Sequence, residues 1–227
     1  MRYSNDINIR FTGRHKKCIS ICDKFEIAGK KVLDVGGFNG WFEKYIIERN
    51  ASEVIGVDVN ENLLKQAKEY TEKAKFVKAS ALDLPFLDEY FNLVAMFDVI
   101  EHLPKNSEML ALTEARRVLK KSGTLILSTP NKHFLSNLLD PAWILLGHRH
   151  YNVNKISSLL RKAGFSIVSI DCKGGLIELI SMILLYVFKI FGCEIPFKRW
   201  FDKLRDKEYL ENSRGFVTLF IVAKKEN

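Results

Sequence analysis

The sequence predicts an α/β fold with a doubly wound, parallel sheet, on two observations. Short apolar segments alternate with amphipathic helical segments along most of the chain, which is the pattern of a parallel sheet with helical crossovers. The first apolar segment, KVLDV at residues 31–35, is followed at once by a glycine cluster and an amphipathic segment. A strand, a glycine turn and a helix N-terminus in this order are typical of a nucleotide-type binding site at the carboxyl edge of a sheet.

The elements of the first half follow from apolar periodicity. Residues 13–27 are predicted as an amphipathic helix that presents Cys18 and Cys22 on one face. Residues 31–35 form the first strand, because a short apolar segment is typical of a central parallel strand. The next segments are predicted, in order, as a helix at 41–49, a strand at 53–58, a helix at 60–73, a short strand at 75–79 and a proline-containing loop at 81–86.

The second half begins regularly and becomes less so. A strand at 92–97 leads directly into DVIEHL, and a helix at 105–120 is followed by a Lys-Ser-Gly turn. A strand at 124–128 ends at Pro130. The remaining segments are a helix at 153–163, a strand at 165–171, a strongly apolar segment at 175–192, a basic and aromatic segment at 196–211 and a closing strand at 215–223.

Composition predicts one globular domain with a basic C-terminal third. The chain has 227 residues, 47% hydrophobic and 27% charged, which is enough to bury a sizeable core. Residues 131–227 carry 15 Lys and Arg against 9 Asp and Glu, an excess that suits an anionic substrate, nucleic acid, an acidic membrane surface or simple solvation. The first residues lack an apolar signal core, and the four scattered cysteines lack metal-site spacing. We therefore expect a cytoplasmic protein with reduced core thiols.

An acid at the end of the second strand indicates the class of ligand. Asp58 can accept hydrogen bonds from both ribose hydroxyls of an adenosine held on the glycine turn, although alone it could also be a surface acid or a helix cap. The nicotinamide fingerprint G-x-G-x-x-G fails, because Phe38 and Trp41 stand where glycines are needed. No G-K-[ST] follows, which excludes a P-loop. The expected ligand carries ribose and adenine without a diphosphate.

Six segments in this order and spacing resemble the class I S-adenosylmethionine-dependent methyltransferases: LDVGGFNG, VDVN, ALDLPF, FNLVAMFDVIEHL, RVLKKSGTLILSTPN and LLRKAGF. The resemblance covers residues 14–172 and the last strand, and is greatest to the small-molecule group typified by ubiquinone- and menaquinone-biosynthesis enzymes. It implies a Rossmann-like sheet of seven strands, mostly parallel with an antiparallel last strand. It also implies a single domain over 1–227 with a helical insertion, or lid, at 174–212.

The resemblance assigns S-adenosylmethionine as cofactor and names the residues that bind it. Phe38 is the one departure, because the family usually has glycine there, and a bulky side chain could reshape the methionine pocket. The resemblance implies that Gly36, Gly37 and Gly40 contact the methionine part, with Asp34 as the supporting acid. It implies that Asp58 binds the ribose, with Val59 beside the adenine, and that Leu82 and Asp83 contact the adenine. Phe97 and Asp98 are implied to lie near the sulfonium and the methionine amine.

The implied activity is methyl transfer to a small or lipid-linked acceptor, at oxygen. An O–H acceptor must lose its proton, and His102 is the first candidate base, with His148 and His150 as alternatives. His102 could instead simply pack or cap at the start of a helix. Asp98, Glu101 and His102 also resemble a metal-binding cluster of some methyltransferases, but such groups occur without metal, and no metal site is predicted.

Other classes of function remain as alternatives. An N-P-P-Y motif is absent after the fourth strand, which disfavours methylation of exocyclic amines, and no Pro-Cys nucleophile appears. An RNA methyltransferase would lack an added RNA-binding module, so nucleic acid is not the expected partner. A non-catalytic methyltransferase-fold subunit is the third class. The mixture of aromatic and basic residues at 175–205 suits peripheral membrane contact, with a buried lid or dimer helix as the alternative.

Overall fold

The computed structural model describes residues 11–37, 39–140, 143, 147–193, 196–211 and 215–226, without the side chain of Lys189. The strands are β1 (Lys31–Val35), β2 (Glu53–Asp58), β3 (Lys75–Lys78), β4 (Phe91–Phe97), β5 (Leu119–Pro130), β6 (Phe165–Lys173) and β7 (Thr218–Lys225). The helices described are α1 (Arg14–Cys22), α2 (Trp41–Ile47), α3 (Glu61–Tyr70), α4 (Glu108–Val118), α5 (Phe134–Leu139), α6 (Val153–Lys162), α7 (Leu176–Ile190) and α8 (Lys198–Leu210).

The strands form one seven-stranded sheet in the order β3-β2-β1-β4-β5-β7-β6. Strands β1 to β5 pair in parallel, whereas β7 lies antiparallel between β5 and β6. The predicted doubly wound sheet with an antiparallel last strand is therefore confirmed. The strand order reverses between β1 and β4, and a crevice forms at the carboxyl edge of an open α/β sheet at such a switch point.

Two apolar layers cover the sheet. Strand alternation sends Val94 and Met96 of β4 to the layer that contains α4 and α6. Its neighbours Leu93 and Ala95 face the other layer, which contains α1, α2 and a tyrosine of α8. Because helices cover both faces, β1 and β4 are apolar on both sides, as the sequence indicated.

Some sequence predictions of boundaries and burial were wrong. Helix α1 ends at Cys22 rather than at residue 27, and helix α5 was not predicted. The Lys-Ser-Gly turn lies inside β5, where Ser122 has φ +57° and the register with β4 shifts, as in a β-bulge. Cys193 is exposed, so it is not a core thiol, whereas Cys18 and Cys22 are buried.

Helices α7 and α8 lie between β6 and β7 in the chain, within the segment predicted as an insertion. The Glu208 carboxylate of α8 accepts hydrogen bonds from the N–H groups of Gly175, Ile177 and Glu178, each at 2.9 Å. An acid at this end of α7 satisfies free N–H groups and complements the helix dipole. None of the helices described combines the length and apolarity that a membrane crossing needs.

Candidate active site

The glycine turn closes the carboxyl end of β1. Gly36 has φ +82°, and a Cβ there would lie 2.6 Å from a methyl group of Val99, so both conformation and space require glycine. Its N–H donates to the Val57 carbonyl at 2.7 Å. Gly40, with φ +80°, then starts α2. These glycines bring the backbone of the turn close to the ends of β2 and β4.

A cavity of 680 Å³ opens beside this turn. Its volume lies in the range of small-ligand and cofactor pockets. Most of the residues predicted to bind the cofactor line it, together with the candidate base. These are Asp34, Gly36, Asp58, Val59, Leu82, Phe97, Asp98 and His102.

Three predicted residues do not line the cavity. Gly37 and Gly40 belong to the turn behind it, where Gly40 starts α2. Asp83 is exposed, and its backbone pairs with Ser80, which does line the cavity. Phe38, the departure from the family pattern, lies outside the described residues. The cofactor-binding roles of these residues, like those of the residues that line the cavity, stay predictions.

Asp58 stands at the cavity end of β2, half-buried. Its Oδ1 accepts a hydrogen bond from the Asn60 N–H at 2.8 Å, and Asn60 in turn caps α3. The sequence left open whether Asp58 supports the start of a helix or faces a ligand site. In the structure the same carboxylate does the first and lines the cavity as well. A carboxylate has two oxygens and can accept several hydrogen bonds at once.

Asp98 is held in a strained conformation at the end of β4. Its φ of +54° is costly for a residue with a side chain, by roughly 1–3 kcal/mol. The Ser128 hydroxyl donates to Asp98 Oδ1 at 2.9 Å, and the Asp98 N–H donates to the Ser128 carbonyl at 3.0 Å. Strain that is fixed in this way places the Asp98 carboxylate in the cavity, and such strain is a frequent mark of a functional site.

Arg14 of α1 lines the same cavity, although it was not among the residues predicted from the sequence. Its guanidinium forms an ion pair with Asp98 and contacts Glu178 of α7 at 3.5 Å. Glu178 is buried and also pairs with Arg205 of α8. Burial would raise the pKa of Glu178, but Arg205 and Arg14 lower it overall, so the carboxylate is charged. A chain of alternating charges thus links the cavity to α7 and α8.

A smaller cavity of 150 Å³ adjoins the first and shares Arg14, Asp98 and His102 with it. The His102 and His148 rings meet edge to face at 4.2 Å between centroids. His102 is exposed, but its partial desolvation beside these residues outweighs the attraction of Asp98 and lowers its pKa from the usual value. His150 is buried between Asn137 and Asp140, at 2.7 and 2.9 Å, so it is held in place by side-chain contacts.

The Asp98, Glu101 and His102 cluster is occupied by protein contacts. Glu101 is buried and accepts a hydrogen bond from the Thr129 hydroxyl at 3.1 Å. Burial, with the nearby Asp98 charge, raises the pKa of Glu101 well above its usual range. In the described ranges, no group of three His, Cys, Asp or Glu residues is placed to hold a metal ion.

Two buried carboxyl groups, of Glu43 and Asp34, lie next to the glycine turn. Glu43 of α2 is fully buried, and its Oε1 packs on Gly37 and on Gly56 of β2, where a Cβ would come within 2.4 Å and 2.1 Å. Neither Glu43 oxygen has a hydrogen-bond partner among the described residues. Burial raises the pKa of Glu43 to about 8. Burial, with the neighbouring Glu43 and Asp58, also raises the pKa of Asp34.

We therefore expect the protein to lose stability as pH rises from 5 to 9. A raised pKa favours the protonated Glu43 in the fold, so its contribution is complete below the unfolded pKa and disappears as pH passes 8. Glu43→Gln should remove a fall of about 4 kcal/mol in the unfolding free energy between pH 5 and 9, measured by urea titration. Exposed Glu69→Gln is the control, and equal pH dependence in both variants would contradict the assignment.

Comparison with known proteins finds similarity to methyltransferases. The family described as "Methyltransferase domain" matches residues 33–127. A Mycobacterium tuberculosis protein named "Probable S-adenosylmethionine-dependent methyltransferase Rv3030" is 32% identical over 136 residues, which are 60% of this chain and 48% of that protein. The ubiquinone biosynthesis O-methyltransferase of Idiomarina loihiensis is 32% identical over 147 residues, 59% of each chain. The chain thus spans about half the length of the curated relatives it matches.

A solved structure extends the likeness to nearly the whole chain. The [4+2]-cyclase SpnF superposes with a TM-score of 0.71 over 99% of this chain and 85% of that one, at 17% identity. Identity this low shows the fold alone. A shared fold does not fix the reaction, so the chemistry has to be argued from the site.

Proposed function

We propose that this chain is a class I S-adenosylmethionine-dependent methyltransferase that transfers a methyl group to a small acceptor, at oxygen; the family match over residues 33–127 and the 32% identity to a probable methyltransferase support the proposal. The observation that carries the proposal is the 680 Å³ cavity at the strand switch point, with Asp58 on the β2 side and the Arg14–Asp98 pair on the β4 side. These polar groups suit the two ends of a nucleoside joined to an amino acid. When bound, S-adenosylmethionine supplies an electrophilic methyl group on a sulfonium that leaves as a neutral thioether.

The β2 side of the cavity suits adenosine. Asp58 has carboxylate oxygens that can accept hydrogen bonds from the ribose hydroxyls. Val59 is exposed beside it, and Leu82 lies on the adjoining wall, so an adenine ring would have apolar surfaces to pack on. Gly36 keeps the turn free of side chains where the ligand approaches.

The β4 side suits the zwitterionic methionine part. Asp98 is an acceptor for an ammonium group, and Arg14 is a donor for a carboxylate. Asp98 already bonds Ser128 and Arg14, so both of its oxygens are oriented before any ligand arrives. An added ammonium and carboxylate would continue the alternation of charge that runs to Glu178 and Arg205. We assign Arg14 to carboxylate binding on this ground.

His102 is the proposed general base. It lies at the mouth where the two cavities join, and its lowered pKa leaves the imidazole neutral at physiological pH. A neutral ring nitrogen can take the proton of an acceptor O–H while Arg14, Asp98 and the turn hold the donor in line. His148 contacts the His102 ring and is the nearest side chain that could orient it.

The smaller cavity is the proposed acceptor side. Its walls combine His102 and His148 with Leu179 and Met182 of α7, so α7 acts as a lid over a partly apolar space. Such a wall favours a small acceptor with an apolar portion over a fully charged one. A lipid-linked acceptor would satisfy the same chemistry.

The proposal is tested by two measurements on the intact protein. Calorimetry with S-adenosylmethionine should detect binding at a single site, and absence of binding would leave only the scaffold alternative. Transfer of tritium from methyl-labelled donor to lipid, RNA, protein and small-molecule cell fractions should then label the small-molecule or lipid fraction. Label confined to RNA would replace the proposed acceptor class, and binding without any transfer would contradict methyl transfer itself.

A further inference from the structure

The end of α7 and the start of α8 carry an exposed surface that the proposed reaction does not use. We propose that this surface, the α7–α8 tip, docks the protein onto an anionic lipid membrane. The inference goes beyond the methyl-transfer proposal and does not depend on it. The tip consists of Ile190, Phe191, Phe197 and Trp200 together with Lys198, Arg199 and Lys203.

The apolar side chains of the tip are exposed to an unusual degree. Ile190, Phe191, Phe197 and Trp200 are 79%, 74%, 82% and 57% exposed, although side chains of this size usually find partners in the core. The outer side of α7 continues the exposure. Three of its exposed residues, Leu176, Ile180 and Val187, recur at helical spacing on this side, and Leu185 is exposed on another side of the helix.

The charges of α8 are sorted by side. Its acids turn towards the protein: Asp202 is buried, and Asp206 forms an ion pair with Lys16 and accepts the Gly13 N–H. Glu208 caps α7. The outward positions are basic, at Lys198, Arg199, Lys203 and Lys207, all exposed. The helix, with five basic and three acidic residues, therefore presents a positive, aromatic face to solvent.

This face is fixed relative to the protein body. The buried Glu178 of α7 pairs with Arg205 of α8 and contacts Arg14 of α1. Glu208 ties the start of α7 to α8 through three N–H groups. Because these contacts use the inward acids, they cannot neutralise the outward bases. The tip is presented as a unit rather than as loose side chains.

Exposed aromatic and aliphatic residues beside lysine and arginine match a membrane interface. Apolar side chains enter the headgroup boundary, while long basic side chains reach anionic headgroups. A second copy of the chain on a twofold axis would place this basic patch (Lys198, Arg199 and Lys203) against the same basic patch, and the repulsion of like charges costs energy. An RNA strand would contact the basic side chains and the aromatic rings of the tip, but it would leave the aliphatic side chains of Ile190 and Leu185 without a partner.

Docking would also orient the proposed acceptor side. Leu179 and Met182, on the inner side of α7, line the 150 Å³ cavity, while the outer side of the same helix carries the exposed apolar residues. The wall of that cavity would then lie next to the lipid surface. An acceptor dissolved in the membrane would need only a short path to it.

Flotation of the intact protein with phosphatidylcholine vesicles, with and without phosphatidylserine, tests the proposal. We expect binding at low salt only when phosphatidylserine is present, with loss at high salt. The triple variants Phe191→Ser/Phe197→Ser/Trp200→Ser and Lys198→Glu/Arg199→Glu/Lys203→Glu should each bind at least about tenfold more weakly. Circular dichroism and thermal melting verify that both variants fold.

Matched controls carry equal changes elsewhere on the exposed surface. They are Lys68→Glu/Lys73→Glu/Lys162→Glu and Leu87→Ser/Leu110→Ser/Val168→Ser, and both should bind like the wild type. Absence of wild-type binding to phosphatidylserine vesicles overturns the proposal, as does equal loss in tip and control variants. When vesicle binding is absent, two further results would identify a different occupant of the tip. A dimer in sedimentation that the serine variant dissociates would indicate a second copy of the chain. Binding of an RNA oligonucleotide that only the glutamate variant loses would indicate RNA.

Discussion

Replacement of His102 by glutamine is expected to lower the turnover of methyl transfer by about 10²- to 10⁴-fold, the range of a general base. Glutamine keeps the approximate size of the side chain and a hydrogen-bonding end, but it cannot act as a base and remove the hydroxyl proton of the methyl acceptor. The dissociation constant of S-adenosylmethionine should change little, because the proposed donor contacts come from other residues. Tritium transfer to the labelled cell fraction gives the rate, and calorimetry gives the affinity.

His148→Gln is the matched comparison, because its ring touches His102 across the same cavity. If His148 only orients the base, its loss should cost less than that of His102. A larger loss in His148→Gln would move the role of base to that residue. Full activity in both variants would leave the reaction without an imidazole base, and would contradict this part of the proposal.

The pH profile gives a separate readout of the base. Partial desolvation lowers the pKa of His102, so the wild-type rate should be level at neutral pH. The rate should fall only at a pH below about 6.5, where the imidazole gains a proton. His102→Gln should lack this fall over the range in which the protein stays folded. A structural role of His102 would change the rate without moving the pH profile.

The order of elements could be predicted because the pattern is local. β1, the glycine turn and α2 follow one another in the chain, and apolar periodicity together with glycine identifies each of them. Asp58 follows from its place at the end of β2, because parallel strands share one carboxyl edge, whereas Asp98 at the end of β4 was implied by the family resemblance. The structure brings both to the same cavity because β2 and β4 share that edge.

The role of Arg14 could not be predicted, because its partner is 84 residues away. Periodicity in α1 indicates only which face packs, and a basic residue beside that face is typical of ordinary solvation. The contact depends on how α1 lies over the end of β4, next to α7 and α8. Long-range ion pairs of this kind need tertiary structure.

Glu43 left a weak signal that sequence reasoning missed. An isolated glycine inside a strand, here Gly56 in β2, indicates that another group approaches the backbone closely. Glu43 fills that space, over Gly56 and Gly37. Aromatic and aliphatic residues of α2 are assigned to the core by their apolarity, whereas a glutamate in the same helix is normally assigned to solvent.

Asp58→Ala is expected to weaken S-adenosylmethionine binding by about 10²- to 10⁴-fold. Two charge-assisted hydrogen bonds to ribose hydroxyls, at roughly 1.5–3 kcal/mol each, would be lost together. The same variant removes the acceptor for the Asn60 N–H, at a cost of about 1 kcal/mol in stability, which a thermal melt records separately. Calorimetry on the folded variant measures the affinity.

Two controls separate ribose binding from support of α3. Asp58→Asn keeps an oxygen for the Asn60 N–H but loses the charge, so we expect normal stability with weakened binding. Glu61→Gln changes a neighbouring exposed acid and should leave the affinity unchanged. A donor analogue without the 2′-hydroxyl should bind the wild type more weakly, and should lose less affinity on Asp58→Ala than the natural donor does. Equal losses for the two donors would show that Asp58 acts through the fold and not through the ribose.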